Sequence, residues 1–513
     1  MFSFNAPVLV AMFSLGILGY LYFKPRRSDL PLPPGPRKLP LLGNLLDVPV
    51  NSEWETYHKW SEEFDSDIIH LDIAGTSVVI LDTDEVAMDL LERRSSIYSS
   101  RPRFPMLNEL SGYNFHFAFM EYGDEWREHR RIFHQSFYPA AVKRFRPRIL
   151  KNTHTFLRYV LNKPDVDICK RLHHLAGANI LDIVYGLDVL PENDPYILAS
   201  EEGMQAIRVA GVPGAFLVDA FPILAHLPGW ISFQRLAKKW RKIALTMISI
   251  SFDGAMEKIQ AGGSVPSLVS ESMECADDIQ NPQHREAVIK STAGTAYIAA
   301  TDTTVSSISS AILALLANPA ILKKAQQEID SVVAPGQLPD FDDHDSLPYV
   351  AAIVKEALRW REVTPIGAPH LLIVDDEYKG YKLPAGSIVI SNVWAMLHKE
   401  STYPDPFTFN PERFLKDGQL DPSVKDPAHA AFGFGRRICP GRHMAYDAIW
   451  IAIASMIAAF DITKPVDADG NIVEPTYEYL LGLVCLPVHF KSVIKPRSMD
   501  KEASIRATAT HEY

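Results

Sequence analysis

Cysteine is scarce in this chain of 513 residues, where only Cys169, Cys275, Cys439 and Cys485 occur. Four scattered thiols without a C-x-x-C pair exclude a disulfide framework and a structural zinc module. No Asn-x-Ser/Thr sequon is present either, which agrees with a body facing the cytosol. Positive charge is in deficit: 51 Lys and Arg against 62 Asp and Glu leave −11. That balance argues against nucleic acid as the main partner, because such proteins carry a basic excess along one face. Gly/Ser-rich linkers, internal repeats and low-complexity tracts are missing as well, so one large domain over 39–495 is the simplest organisation. With 47% apolar and 22% charged residues the chain is neither disordered, collagen-like nor a multi-span membrane protein.

Long apolar runs are rare, and the one that exists stands at the start. Ala6 to Phe23 is an apolar stretch of 18 residues followed at once by Lys24, Arg26 and Arg27. Length and flanking charge predict a single-pass anchor over 1–27 with the remainder in the cytosol. A cleaved signal peptide fits less well, since a basic leader and a small-residue cleavage site are absent. Pro31, Pro33, Pro34 and Pro36 surround Gly35 and read as a stiff hinge over 28–38. The segment 496–513 is polar and is expected to be a disordered tail.

Between these ends helical periodicity dominates. Ile321, Ala325, Ile329 and Val333 recur every four residues, and Val350, Ile353, Val354, Ala357 and Leu358 form another stripe. Residues 286–318 are apolar on several faces, which predicts a helix crossing the interior. Strand alternation is confined to 68–82 around Gly75-Thr76 and to 371–390 around Lys379-Gly380 and Pro384-Ala385-Gly386. The fold class is mainly α with small peripheral β-sheets.

The chemistry concentrates in Phe432-Gly433-Phe434-Gly435-Arg436-Arg437-Ile438-Cys439-Pro440-Gly441. A buried cysteine is ordinarily a small hydrophobe, the reading that suits Cys169, Cys275 and Cys485. Around Cys439, glycines permit tight turns whose backbone N–H groups can face the sulfur, and neighbouring arginines favour thiolate. Such a thiolate can hold a soft metal or act as a nucleophile. The segment resembles the F-x-x-G-x-R-x-C-x-G haem-binding loop of the cytochrome P450 superfamily. Five fixed positions over this length arise by chance at an order of about 10⁻⁴. The resemblance implies the P450 fold and a heme b whose iron takes Cys439 as axial thiolate. It also implies that Arg437 pairs with a propionate and that Phe432 packs on the sulfur side of the ring.

Three more segments follow the family order. Glu356-Ala357-Leu358-Arg359 alone would be an ordinary helix-surface ion pair. With Pro411-Glu412-Arg413-Phe414 downstream it resembles the family's buried triad of Glu356, Arg359 and Arg413. Trp126-Arg127-Glu128-His129-Arg130 resembles the W-x-x-x-R helix, which implies that Trp126 and Arg130 face a propionate; His370 is expected to join them and Arg101 is a further candidate. At 371 the family often has arginine where this chain has leucine. Ala299-Ala300-Thr301-Asp302-Thr303-Thr304 resembles the oxygen-activation motif, with Ala300 in place of the usual glycine. By that resemblance Thr303 bonds bound dioxygen or its water, and Asp302 relays protons from solvent. Back-bonding of the threonines to their own helix is the ordinary alternative.

Together these imply a haem-thiolate monooxygenase that inserts one atom of O2 into a lipophilic small molecule, as hydroxylation or epoxidation. The pattern is most similar to fungal microsomal members of secondary metabolism, with a terpenoid or an aromatic, indole-like scaffold as substrate. No G-x-G-x-x-G follows a strand and no length is left for a flavin domain. Electrons are therefore expected from a separate NADPH-cytochrome P450 reductase, with cytochrome b5 as a second donor, docking near Arg436, Arg442 and His443 at an endoplasmic reticulum membrane. Residues 105–119, 211–233 and 480–484 are expected to line the substrate's route. The alternatives are a haem-thiolate isomerase or dehydratase, which departs at the Asp-Thr pair, and a non-enzymatic haem carrier or sensor.

Overall fold

The computed structural model describes residues 30–49, 51–163, 167–212, 215–274 and 281–513. The anchor expected over 1–27 and Cys275 lie outside the described residues. The longer helices are α1 (Glu53–Glu63), α2 (Asp124–Phe137), α3 (Arg146–Asn162), α4 (Ile168–Ile180), α5 (Pro195–Ala210) and α6 (Ser232–Gln260). They continue with α7 (Pro282–Ala317), α8 (Pro319–Val332), α9 (Pro348–Trp360), α10 (Arg442–Ala459) and α11 (Met499–Ala507). Helix dominates, as the periodicity predicts.

The main sheet joins chain segments more than three hundred residues apart. Strands β1 (Ile68–Ile73) and β2 (Thr76–Leu81) form a hairpin, with Ile68 opposite Leu81. Its turn is Ala74-Gly75, both at positive φ (49° and 92°), the backbone that matches the twist of a two-residue hairpin. The motif 371–390 resolves into β3 (His370–Leu371), β4 (Asp376–Tyr378), β5 (Tyr381–Leu383) and β6 (Ile388–Ser391). Lys379-Gly380 makes a second turn of the same kind. β2 pairs in parallel with β6 in the order β1-β2-β6-β3, so nearly the whole helical body is inserted between neighbouring strands. Alternation then buries both faces. Ile68, Val79, Leu81 and Val389 meet Leu90, Tyr98 and Phe434 on one side, whereas Ile69, Leu71, Val78 and Ile80 meet Trp54 and Tyr57 on the other.

Helix α7 is the axis of the larger body. Its 36 residues span about 54 Å at 1.5 Å per residue. Pro282 occupies the first turn, and the Asn281 side chain accepts from the Gln283 and His284 N–H groups at 3.0 and 3.4 Å, a start signal of the expected type. The helix is long and apolar enough to cross a membrane, yet 83% of its most apolar window is buried inside the protein. It packs against α2, α4, α9 and α10, and α10 is itself almost wholly enclosed from Ala448 to Ala459. These helices supply two walls of the site.

Both ends of the described chain are more ordered than composition predicts. The hinge segment lies as a strap over the hairpins: the Pro34 carbonyl accepts from His70 N–H at 2.9 Å and the Pro31 carbonyl from Lys382 N–H at 2.8 Å. The tail is not disordered. Ser498 caps α11, Ile505 is fully buried, and the Tyr513 hydroxyl sits 2.7 Å from His154 Nδ1. One apolar side chain and a few directed polar contacts hold it, a pattern too sparse to register as periodicity.

Candidate functional site

The cysteine loop is built by backbone geometry. Gly433 and Gly435 have φ of 73° and 58°, and Cys439 N–H donates to the Phe432 carbonyl at 2.8 Å, closing the loop on itself. At Gly435 a Cβ would stand 2.1 Å from the Leu91 carbonyl oxygen, so only glycine fits between loop and neighbouring turn. Gly435→Ala is expected to cost at least about 2 kcal/mol from the left-handed backbone and the clash, read as a lower Tm and reduced haem content. Phe432 is half-buried against the large core, and Phe434 is buried in the sheet-side cluster. Cys439 is half-buried: burial pushes its thiol up, and the bonds and charges of Gly441, Arg130 and Arg442 only partly offset this. The arginines alone therefore do not make the thiolate that their number predicts. A bound metal, which takes the proton's place, would.

Beside the loop lies a cluster of cations with no anion. Arg437 is buried and donates to the carbonyls of Ser99, Phe117 and Met120, with its guanidinium 4.4 Å over the Trp126 ring. Arg130 donates to the Ile438 carbonyl at 2.8 Å and lies 5.8 Å from the same ring. Arg101 donates to Ala118, Ala368 and Pro369 carbonyls, and His370 Nδ1 lies 2.8 Å from the Tyr98 carbonyl. Burial pushes Arg101 down to about 9. Burial, then repulsion from Arg101 and Arg130, brings Arg437 to about 8. His370 is held well below the ordinary imidazole value by burial and by Arg101. Trp126 thus seats two guanidiniums on its ring, and Arg101 belongs fully to the group. No carboxylate pairs with Arg101, Arg130, Arg437 or His370 among the described residues. Unpaired buried cations are costly, and a dianionic ligand would relieve that cost.

The opposite wall comes from α7. A cavity is lined by Ala299, Ala300, Thr303 and Thr304 from α7, by Cys439 and Gly441 from the loop, and by Phe133, Asn179 and Met444. Thr303 and Cys439 thus face one space. The Thr303 hydroxyl donates to the Ala299 carbonyl at 2.7 Å, the ordinary back-bond of a helical threonine, and still borders the cavity. Asp302 points the other way. It is fully buried, and its Oδ2 accepts from Arg208 Nε of α5 at 2.5 Å. The solvent contact expected of a proton relay is absent at Asp302 itself.

Below the loop the triad assembles as the motif order implies. Arg359 Nε and Nη2 donate to the two oxygens of Glu356 at 2.7 and 2.9 Å, and Arg413 Nε adds a bond at 3.2 Å. Glu356 also accepts from the Asn410 N–H at 2.8 Å. All three side chains are buried.

A haem fits this arrangement on the structure's own terms: an apolar cavity bordered by one cysteine sulfur, with a cation cluster lacking its anions. The substrate route is placed less simply. Of the 105–119 segment, Phe117 and Ala118 border the cavity beside Cys439, whereas Met106, Phe115 and Phe119 join Leu483, Met204 and Trp240 in a separate apolar cluster. In the 211–233 segment, Leu217, Ile223 and Trp230 are exposed. Sequence reasoning missed Arg208, Asn179 and His173. A buried acid in an apolar helix demands a cation, but nothing local says which one.

Comparison with known proteins agrees with this geometry. The family model described as "Cytochrome P450" matches residues 33–491. The chain is 45% identical over 507 residues to "Cytochrome P450 monooxygenase 98" of Postia placenta, covering 98% of this chain and 97% of that protein. It is 38% identical over 502 residues to "Tryptamine 4-monooxygenase" of Psilocybe cyanescens, covering 96% and 99%. A cytochrome P450 monooxygenase of Rhodocybe pseudopiperita is 42% identical over 505 residues, covering 98% and 96%.

Proposed function

From the premise that this chain belongs to the cytochrome P450 family of haem-thiolate monooxygenases, we propose that Cys439 would hold the haem iron through its sulfur and that the enzyme oxygenates a lipophilic indole or terpenoid in fungal secondary metabolism. The observation that carries the reading is the shared cavity, with Thr303 on one wall and Cys439 on another. Bound haem supplies a centre where dioxygen is split with two electrons and two protons, thiolate donation favouring the cleavage. The protein's part is to hold and shield. Arg101, Arg130, Arg437 and His370 bind the two propionates, and Trp126 fixes the orientation of two of those arginines. Phe133, Ala299 and Met444 exclude water from the cavity. Thr303 turns its hydroxyl from the Ala299 carbonyl toward the cavity and holds a proton there, and Asp302 stores the proton behind it.

Support for an indole-like substrate comes from the activity named for the Psilocybe relative. Electrons come from a membrane-bound NADPH-cytochrome P450 reductase, with cytochrome b5 as a second donor. They arrive at the face where Arg436 is exposed and Arg442 donates to the Cys439 carbonyl at 3.1 Å. The exposed Leu217, Ile223 and Trp230 face the endoplasmic reticulum bilayer, with the anchor segment in the same membrane.

Microsomes holding the chain and a fungal reductase are expected to add one oxygen atom to members of an indole and terpene panel, only with NADPH. Turnover that proceeds without NADPH would favour the isomerase alternative instead. Thr303→Ala is expected to keep haem content and NADPH use while most of the electrons reappear as hydrogen peroxide. Unchanged coupling of NADPH to product would remove Thr303 from proton delivery.

A further inference from the structure

Asp302 has two oxygens with different surroundings. Oδ2 is held by Arg208 Nε, whereas Oδ1 is buried and has no hydrogen-bond partner among the described residues. The atom nearest in kind is His173 Nδ1 of α4, 3.8 Å from Oδ1, and it too is buried and unpartnered. A donor and an acceptor left unsatisfied in the interior each cost about 1–3 kcal/mol. Here they face each other just outside bonding reach. A small ring rotation, within the amplitude of ordinary side-chain motion, would join them.

The two partners of Asp302 differ in what they can do. A guanidinium stays protonated at any working pH, so Arg208 can orient the carboxylate but cannot hand it a proton. An imidazole loses and regains its proton near neutrality. His173 also reaches outward: its side chain keeps 15% of its surface exposed, against 1% for Asp302. The charged groups facing it are Asp302 from α7, Glu201 and Arg208 from α5, and His489 from the C-terminal loop. His489 is 71% exposed and bonds Asp167, the cap of α4, at 3.1 Å. Burial lowers the tendency of His173 to hold charge, and Asp302 counters it first among those neighbours.

We propose that His173 is a positioning residue for the oxygenation, loading Asp302 with solvent protons through the Nδ1 to Oδ1 contact while Arg208 holds the other oxygen. The proton balance closes. With its proton on Nδ1, the ring takes one from solvent at Nε2 and releases the Nδ1 proton to Oδ1. This leaves Asp302 as the acid and His173 as the other neutral tautomer, which resets when the ring swings toward solvent, gives its Nε2 proton to water and takes one at Nδ1. The step rests on the reading of Asp302 as the store behind Thr303, and it explains how a wholly buried carboxyl exchanges with water.

The test uses the full-length, haem-loaded chain in detergent micelles with four forms: wild type, His173→Gln, Asp302→Asn and the double variant. The first readout is thermal stability as a double-mutant cycle at pH 6 and pH 8. The Nδ1–H to Oδ1 bond of the neutral ring exists at both values, and wherever the ring takes a second proton an imidazolium adds to it. A coupling is therefore expected at both values and is no smaller at pH 6 than at pH 8. No coupling at either value overturns the proposal. The second readout is NADPH oxidation driven by a fungal reductase without added substrate. Asp302→Asn and His173→Gln are both expected to slow it by about 10-fold or more, with no further loss in the double variant. If Asp302→Asn slows it and His173→Gln does not, the proposal fails and the role of Asp302 stands. If neither slows it, the role of Asp302 fails and the proposal with it.

Discussion

Cys439→Ser is expected to give a folded protein whose reduced, carbon-monoxide-treated form lacks the absorption band of a sulfur-ligated haem. The loop does not need the sulfur for its shape. Its turn is closed by the Cys439 N–H to Phe432 carbonyl bond, and it is tied down by Arg130 on the Ile438 carbonyl and Arg442 on the Cys439 carbonyl. Serine keeps all of these backbone contacts and the same cavity. It removes the only thiol bordering that cavity among the described residues, and a hydroxyl is far too weak an acid to replace it. Oxygen insertion should vanish with the band, because thiolate donation is what favours O–O cleavage. Cys485→Ser is the control: that thiol is buried and pushed up to about 12, next to Glu362, so the band should be unaffected. A normal band in Cys439→Ser, or its loss in Cys485→Ser, would put the ligand elsewhere.

The features legible in the sequence are those in which one short segment carries both the residue and its reason. Gly433, Gly435 and Cys439 lie within seven positions, and the turn they predict is the one found. The two hairpins were equally local, since a glycine turn needs no partner to specify it: Lys379-Gly380 falls where expected, and the first turn is Ala74-Gly75, one residue before the expected Gly75-Thr76. Spacing also paired Glu356 with Arg359, three residues apart on α9. What could not be read is set by contacts across the chain. Arg208 meets Asp302 over 94 positions, and Asp302 therefore faces inward where the motif implies a path to solvent. Arg101 stands in no motif of its own, and its place beside the loop is set by the distant carbonyls of Ala368 and Pro369. The parallel β2–β6 pair and the docking of α11 have the same origin: each is decided by the whole body folding between or beneath the elements concerned.

Glu356→Gln is expected to be the most damaging substitution outside the cavity, and the reason lies in arithmetic rather than in catalysis. Glu356 is fully buried, and its two oxygens receive Arg359 twice, Arg413 once and the Asn410 N–H once. Arg359 and Arg413 are buried with it, at 0% and 6% side-chain exposure. Their remaining bonds run to the neutral carbonyls of Leu397, Pro404, Asp405 and Thr408. Neutralising the one carboxylate leaves two guanidiniums facing each other without a counter-ion, and the new amide N–H group turns a donor toward donors. Breaking a buried pair costs about 3–5 kcal/mol, against a total stability of about 5–15 kcal/mol for a folded domain. The variant should therefore accumulate poorly, lose haem and melt at a much lower temperature. Glu356→Asp keeps the charge at shorter reach and should fall between the two. The comparison isolates charge from shape. A Glu356→Gln protein with wild-type haem content and Tm would show that the arginines are satisfied by carbonyls alone, and the triad would then be packing rather than a charge lock beneath the cysteine loop.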